Sequence, residues 1–165
     1  MKFLVFSPYY PPHIGGLENH AHEFNLHMAT RGHTITVCTP QIPRNTAKLD
    51  TTYPGIRIIR FPAFEIIPGY PIPKFWSFFF WRQLYEIHTS SYDIVISRTR
   101  FFLTSIMALC YAMLCKIKYV HIEHGSDFVQ LDSIVYSAIA KLYDYTIGKL
   151  IFFEADTVIA NSNAS

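Results

Sequence analysis

The chain opens on Lys2-Phe3-Leu4-Val5-Phe6, one charge followed by four apolar residues. An unbroken apolar run of that length predicts a central strand buried on both faces. Ser7 to Ile14 holds three prolines and cannot be helix. From Leu17 the apolar positions Leu17, Ala21, Phe24 and Met28 step by four, three and four residues, which marks one face of a helix. That helix ends near Arg31, with Gly32 just past its last turn. Apolar, β-rich runs at 34–38, 56–60, 93–97, 117–122 and 157–160 predict five more strands. Pro62 closes the third strand, and 41–54 is polar and turn-rich, a surface loop. Helical stretches are expected at 101–115 and 131–153. Strands alternating with helices predict an α/β chain built of βαβ units, a Rossmann-like, doubly wound parallel sheet.

In such sheets ligands sit beyond the carboxyl ends of the strands. Those ends carry Pro8 to Gly16, Arg98 to Arg100, Glu123 to Asp127 and Asn161 to Ser165. Gly15-Gly16 before a helix permits close backbone approach, and the free N–H groups of that helix start attract anions such as phosphate. A tight turn is the alternative. Gly-Gly-Leu-Glu-Asn-His has no third glycine, so the GxGxxG dinucleotide fingerprint is absent. Glu18 is either a first-turn carboxylate favoured by the helix dipole or a ligand contact. His13 lies in the loop facing the cleft. His20, His22 and His27 read as exposed helix histidines: HExxH fails because Leu26 follows His22 by four residues. His124 follows a strand directly, precedes Gly125 and has Asp127 close by, so it suits a sugar hydroxyl or phosphate. Glu123 either contacts the ligand or orients His124, and Arg98 is the arginine best placed for an anion. The set suits a phosphorylated ligand and lacks a nucleophile–base pair.

Composition narrows the setting. Charged residues make up 16% of the 165, against roughly 25% in an average soluble domain. A net charge of +2 with no arginine stripe argues against nucleic acid. Cys38, Cys110 and Cys115 form no CxxC pair and read as buried free thiols in a reducing, cytoplasmic setting. The uncharged stretch 101–115 would span about 22 Å as a helix, short of the ~30 Å hydrocarbon core, so it reads as a helix buried beneath the sheet. Aromatics reach 16% and crowd into one segment, Tyr70 to His88. There Lys74, Phe75, Trp76, Phe79, Trp81 and Arg82 form either an interfacial anchor on the cytoplasmic membrane or rings packed against the sheet or a partner domain.

Taken in order, the proline-rich loop after strand one, Gly-Gly-Leu-Glu, the Arg-Gly-His-Thr-Ile-Thr-Val-Cys-Thr entry to strand two, His-Gly-Ser-Asp after strand five and Phe153 to Ser162 at the end resemble the N-terminal half of the GT-B glycosyltransferases of family 4. The resemblance implies that residues 1–165 form the acceptor-side domain, with a C-terminal donor-binding domain outside this chain. It implies a retaining transferase that moves a sugar from a nucleotide sugar to a glycan or lipid-linked acceptor of cell-envelope synthesis. Gly15 and Gly16 would then face the donor phosphate and sugar, and His124 would contact the transferred sugar. No metal or other cofactor is expected, and the isolated half would be inactive. Relatives often place a histidine after strand four, where this chain has Arg98-Thr99-Arg100. Two other readings stay open: a non-catalytic membrane-docking subunit that recruits a separate catalytic chain, and a nucleotide-binding module unrelated to sugar transfer.

Overall fold

The structure, a computed structural model, describes residues 1–67, 69–124 and 140–160. In chain order its elements are β1 (Lys2–Phe6), α1 (Gly16–Thr30), β2 (Thr34–Pro40), β3 (Leu49–Asp50), β4 (Ile56–Phe61), β5 (Ala63–Ile67), β6 (Tyr70–Pro73) and α2 (Phe78–His88). After these come β7 (Ile94–Arg98), α3 (Leu103–Cys115), β8 (Lys118–Glu123), α4 (Lys149–Glu154) and β9 (Thr157–Ala160). A π-helical turn, Asp144–Gly148, leads into α4. Seven strands form one sheet in the order β3-β4-β2-β1-β7-β8-β9. Every pairing is parallel except β3 with β4. The expected α/β, Rossmann-like doubly wound sheet is therefore present, with β1 at its centre.

The alternation of β1 explains the two-sided core. Phe3 and Val5 pack with Ala21 of α1, Ile35, Val37 and Ile58 on one face. Leu4 and Phe6 pack with Phe80 and Ile87 of α2, Ala108 and Leu109 of α3, and Ile151 of α4 on the other. Chain order turns from β2 on one side of β1 to β7 on the other. Between β1 and β7, then, lies the switch point at whose carboxyl edge such sheets open a crevice.

Several expectations need correction. The residues of α1 that are fully buried are Glu18, Ala21 and Asn25. Leu17, Phe24 and Met28 are only half-buried. The helix is rotated because the buried Tyr10 hydroxyl accepts a hydrogen bond from Asn25 Nδ2 at 3.2 Å and lies 3.1 Å from His22 Nδ1. The loop at 41–54 contains the short strand β3. Residues 63–67 and 70–73 pair as the antiparallel strands β5 and β6, hidden in the sequence by its many prolines. Helix α3 is not enclosed: Ala108, Leu109 and Ala112 face the sheet, while Met113 and Leu114 are exposed. Of the thiols, all free, only Cys38 is buried.

The aromatic segment divides. Phe80 is 1% exposed and packs edge-on against Phe61 at a centroid distance of 5.6 Å. Phe75, Trp76, Phe79 and Trp81 are exposed, Trp76 at 72%. Arg82 is exposed and Lys74 half-buried. Phe80→Ala should cost about 3–5 kcal/mol by leaving a core cavity. Trp76→Ser should stay within about 0.5 kcal/mol of the wild type, as surface substitutions do. Denaturant titration of the two variants reads both values; equal losses would refute this division.

Candidate functional site

The carboxyl ends of β1, β7 and β8 bring together residues far apart in sequence. Arg98, the last residue of β7, is fully buried. Its Nη1 lies 3.2 Å from His20 Nδ1 and 3.2 Å from His124 Nε2. A guanidinium only donates, so both of those ring nitrogens are acceptors, and the proton of each neutral imidazole sits on its other nitrogen. The two rings meet edge to face at 4.9 Å, and the guanidinium lies 5.1 Å over the Phe24 ring. Arg98 Nε and Nη2 have no hydrogen-bond partner among the described residues. Arg98 thus stands beneath the histidines instead of opening onto the cleft as an anion contact. Burial pulls its pKa down to about 10.

His124 is held neutral. Burial, then the Arg98 charge, then His20 lower its pKa from 6.5 to about 4. His20 is also lowered, by burial and by Arg98. Surface exposure of the His20 residue matches expectation, but its partnership with Arg98 and His124 was missed. Only the register of β7 beside β1 reveals it. His22, also read as exposed, is half-buried against Tyr10 and Tyr53.

Gly16 opens α1 four residues before His20, and, apart from its chain neighbours and its own helix backbone, no atom of the described residues lies within 4 Å of where its Cβ would stand. The backbone there is open to a ligand. At Gly15 the opposite holds: a Cβ would lie 2.7 Å from Glu18 Oε1, because that carboxylate folds back over the helix start. Glu18 is buried and hydrogen-bonded to His13 Nδ1, which fits the first-turn role. His13 is stacked on Tyr9 at 4.1 Å. Asp127, with Gly125 and Ser126, lies outside the described residues, as do Asn161 to Ser165.

Glu123 is buried and orients the neighbouring backbone. Its Oε1 accepts the His124 N–H at 3.0 Å, and its Oε2 accepts the Arg100 N–H at 3.3 Å and Arg100 Nη1 at 3.1 Å. Arg100 Nε continues to Asp144 at 2.5 Å. Gly148 leaves that carboxylate its room, since a Cβ there would stand 2.7 Å from Asp144 Oδ1. Below them Tyr119 Oη, Ser97 Oγ, His121 and Glu123 Oε2 form a chain with spacings of 2.6, 2.7 and 3.1 Å. The alternation of Tyr119, His121 and Glu123 along β8 was the sequence signal for this network. Thr99, at φ 59°, turns the chain so that Arg98 and Arg100 diverge to opposite sides. Left-handed backbone at a β-branched residue costs of order 1–3 kcal/mol and marks a position imposed by its surroundings.

A family model described as Glycosyltransferase Family 4 matches residues 14–165. This chain belongs to that family. An uncharacterized glycosyltransferase of Methanocaldococcus jannaschii is 41% identical over 167 residues, covering 99% of this chain and 42% of the relative. The chain therefore spans under half the length of that relative. A sucrose-phosphate synthase from Thermosynechococcus elongatus superposes with a TM-score of 0.66 at 17% identity, over 95% of this chain and 41% of the other. That likeness shows the fold, a Rossmann-like α/β sheet of the kind found in GT-B glycosyltransferases. Among the described residues no three His, Cys, Asp or Glu side chains cluster as a metal site. No helix among them is long and apolar enough to cross a membrane.

The electrostatics of the site set two expectations. His124 should titrate near 4 by NMR, and Arg98→Met should move it upward by removing the buried cation; a wild-type value near 6.5 would refute the arrangement. A histidine with its folded pKa lowered binds fewer protons than the unfolded chain between about 4 and 6.5. Its contribution to stability is therefore complete above 6.5 and is lost as pH falls through that window. Thermal melts across the window should show this loss, with a shallower slope in His124→Asn.

Proposed function

We propose that this domain is the acceptor-side half of a retaining glycosyltransferase that uses a nucleotide sugar. The observation that carries the reading is the joining of His124, Arg98 and His20 beside the open backbone of Gly16 at the β1/β7 switch point. Family membership supports transferase chemistry. In the reaction the bond between the anomeric carbon and the diphosphate oxygen breaks. A bond from an acceptor hydroxyl forms on the same face, and the hydroxyl proton passes to the departing diphosphate.

His124 serves here as a neutral donor to a hydroxyl of the transferred sugar, with its proton on Nδ1. An imidazole titrating near 4 is no general acid at neutral pH. The N-terminus of α1 at Gly16 faces the negative charge that grows on the diphosphate. A second GT-B half completes the donor site, so residues 1–165 alone are inactive. The acceptor is a glycan or a lipid-linked saccharide of the cell envelope. The exposed aromatics Trp76, Phe79 and Trp81 with Lys74 and Arg82 support the lipid-linked choice and a peripheral position on the inner membrane face. They also favour the second reading, a docking subunit, in which the same surface recruits a separate catalytic chain.

In the intact protein, His124→Ala should lower kcat about 10²–10³-fold, the scale for removing one preorganised donor. Gly16→Val should impair turnover while leaving the melting temperature nearly unchanged, because the added side chain meets only open space. Parallel loss of stability and activity at Gly16 would support the plain-turn role. Full turnover by His124→Ala, or robust transfer by residues 1–165 alone, would refute the proposal.

A further inference from the structure

Sugar transfer at the ends of β1, β7 and β8 leaves the carboxyl end of β4 without a role. A cavity of about 280 Å³ opens there, lined by Pro11, Pro12, Thr46, Asp50, Tyr53 and Arg60. Its position follows from register. Ile56 and Ile58 of β4 pack in the α1-side core, so Arg60, two residues on, faces the same side near the strand's end. Because β4, β2, β1 and β7 are neighbours in that order and parallel, Arg60 and Arg98 stand on one edge. They are three strand spacings apart, about 14 Å at ~4.8 Å each. One loop joins the two places: Pro11 and Pro12 wall the cavity, and the chain then runs on to the open helix start at Gly16.

The lining groups are fixed in place. Arg60 is 1% exposed, and its Nη1 and Nη2 donate to the carbonyls of Ala47 at 2.9 Å and Pro11 at 2.7 Å. Its Nε has no hydrogen-bond partner among the described residues. Asp50 Oδ1 accepts the Thr52 N–H at 2.9 Å and hydroxyl at 2.7 Å, whereas Oδ2 lies 3.5 Å from both Nη atoms of Arg60. A charge-assisted bond runs about 2.7–2.9 Å, so Oδ2 keeps lone pairs for a ligand. Tyr53 supplies a half-buried ring, held edge to face against His22 at 4.4 Å. A pyranose matches this set. Its C–H face suits an aromatic ring, and its hydroxyls donate to a carboxylate while accepting from a guanidinium. An anion fits worse, because the Asp50 carboxylate stands beside the cation. A hydrocarbon chain would leave both charged groups facing an apolar partner. Ligand sites run about 300–1,000 Å³, so this cavity is at the small end and has room for one ring.

We infer that the cavity at the end of β4 is a subsite for one uncharged sugar residue of an oligosaccharide acceptor, remote from the residue that receives the new sugar. The inference rests on the acceptor-side reading above and names the class of that acceptor. The span sets its length: a sugar ring is about as wide as one strand spacing, ~4.8 Å, so three spacings call for about three residues. Asp50, Tyr53 and Arg60 then determine specificity for chain length, and a monosaccharide leaves them empty.

Calorimetry on the intact protein without donor tests this, with mannotriose, maltotriose and triacetylchitotriose as probes, each beside its monosaccharide. At least one trisaccharide should bind about tenfold tighter than its monosaccharide, equivalent to ~1.4 kcal/mol. Tyr53→Leu and, separately, Asp50→Asn should erase that advantage. Both residues are only half-buried, and if one variant melts early the other carries the test. Trisaccharides that bind no tighter than monosaccharides would overturn the proposal. So would an advantage kept in both variants, which would place the extra sugars elsewhere. Tighter binding of trigalacturonate than of every neutral probe would mean an anion site and overturn it as well. The measurement uses no donor, so the two readings fail separately. Trisaccharide binding through Asp50 and Tyr53 in a protein that transfers no sugar would refute the transferase reading alone. Transfer to a trisaccharide and its monosaccharide with equal KM would refute the subsite alone.

Discussion

A buried cation whose partners among the described residues are two imidazole rings governs this site. Arg98 is wholly buried, and among the described residues its hydrogen-bond partners are the rings of His20 and His124. Burying an unpaired charge costs several kcal/mol, which a protein recovers only through close dipoles and polarizable neighbours. Two imidazole lone pairs and the Phe24 ring provide them. The arrangement works only if both histidines stay neutral, and burial, reinforced by the same cation, keeps them so. The acid–base character of the cleft thus follows from burial and one guanidinium acting together.

Its placement depends on a second layer. Thr99 accepts a left-handed backbone so that Arg98 and Arg100 point to different sides of the sheet. Arg100 then reaches Glu123 and Asp144, and Glu123 in turn holds the N–H of His124. Tyr119, Ser97 and His121 extend this network into the core. A buried polar chain of this kind is strong when every member is satisfied and costly when one is lost. It ties the turn after β7 to the end of β8, the two strand ends that carry the site.

The helices on the two faces of the sheet carry different chemistry. On the α1 side the helix buries Glu18 and Asn25 beside the apolar core of Phe3, Val5, Ile35 and Val37 and leaves Gly16 open. On the other side α2 and α3 present aliphatic and aromatic residues both to the core and outward. Both sides end at the carboxyl edge, where parallel strands place their following loops.

Much of this was legible in the chain itself because it depends on neighbours in sequence. The apolar run of β1, the 3.6-residue rhythm of α1, the glycine pair and the β-rich segments at 34–38 and 157–160 are local signals, and each formed the element it announced. Residues following parallel strands also gather at one edge, where Arg98 meets His124. What local pattern could not carry was partnership. His20 and Arg98 lie 78 residues apart and meet because β7 pairs with β1, while Ser97 faces His121 through the register of β7 with β8. The hairpin β5–β6 was hidden by prolines that an edge ribbon tolerates. Whether an aromatic ring was core or surface turned on the rotation of α2, which buries Phe80 and exposes Phe79 and Trp81 on either side of it. Periodicity sets the spacing of a helix face; only the surface packed against it decides which residues that face contains.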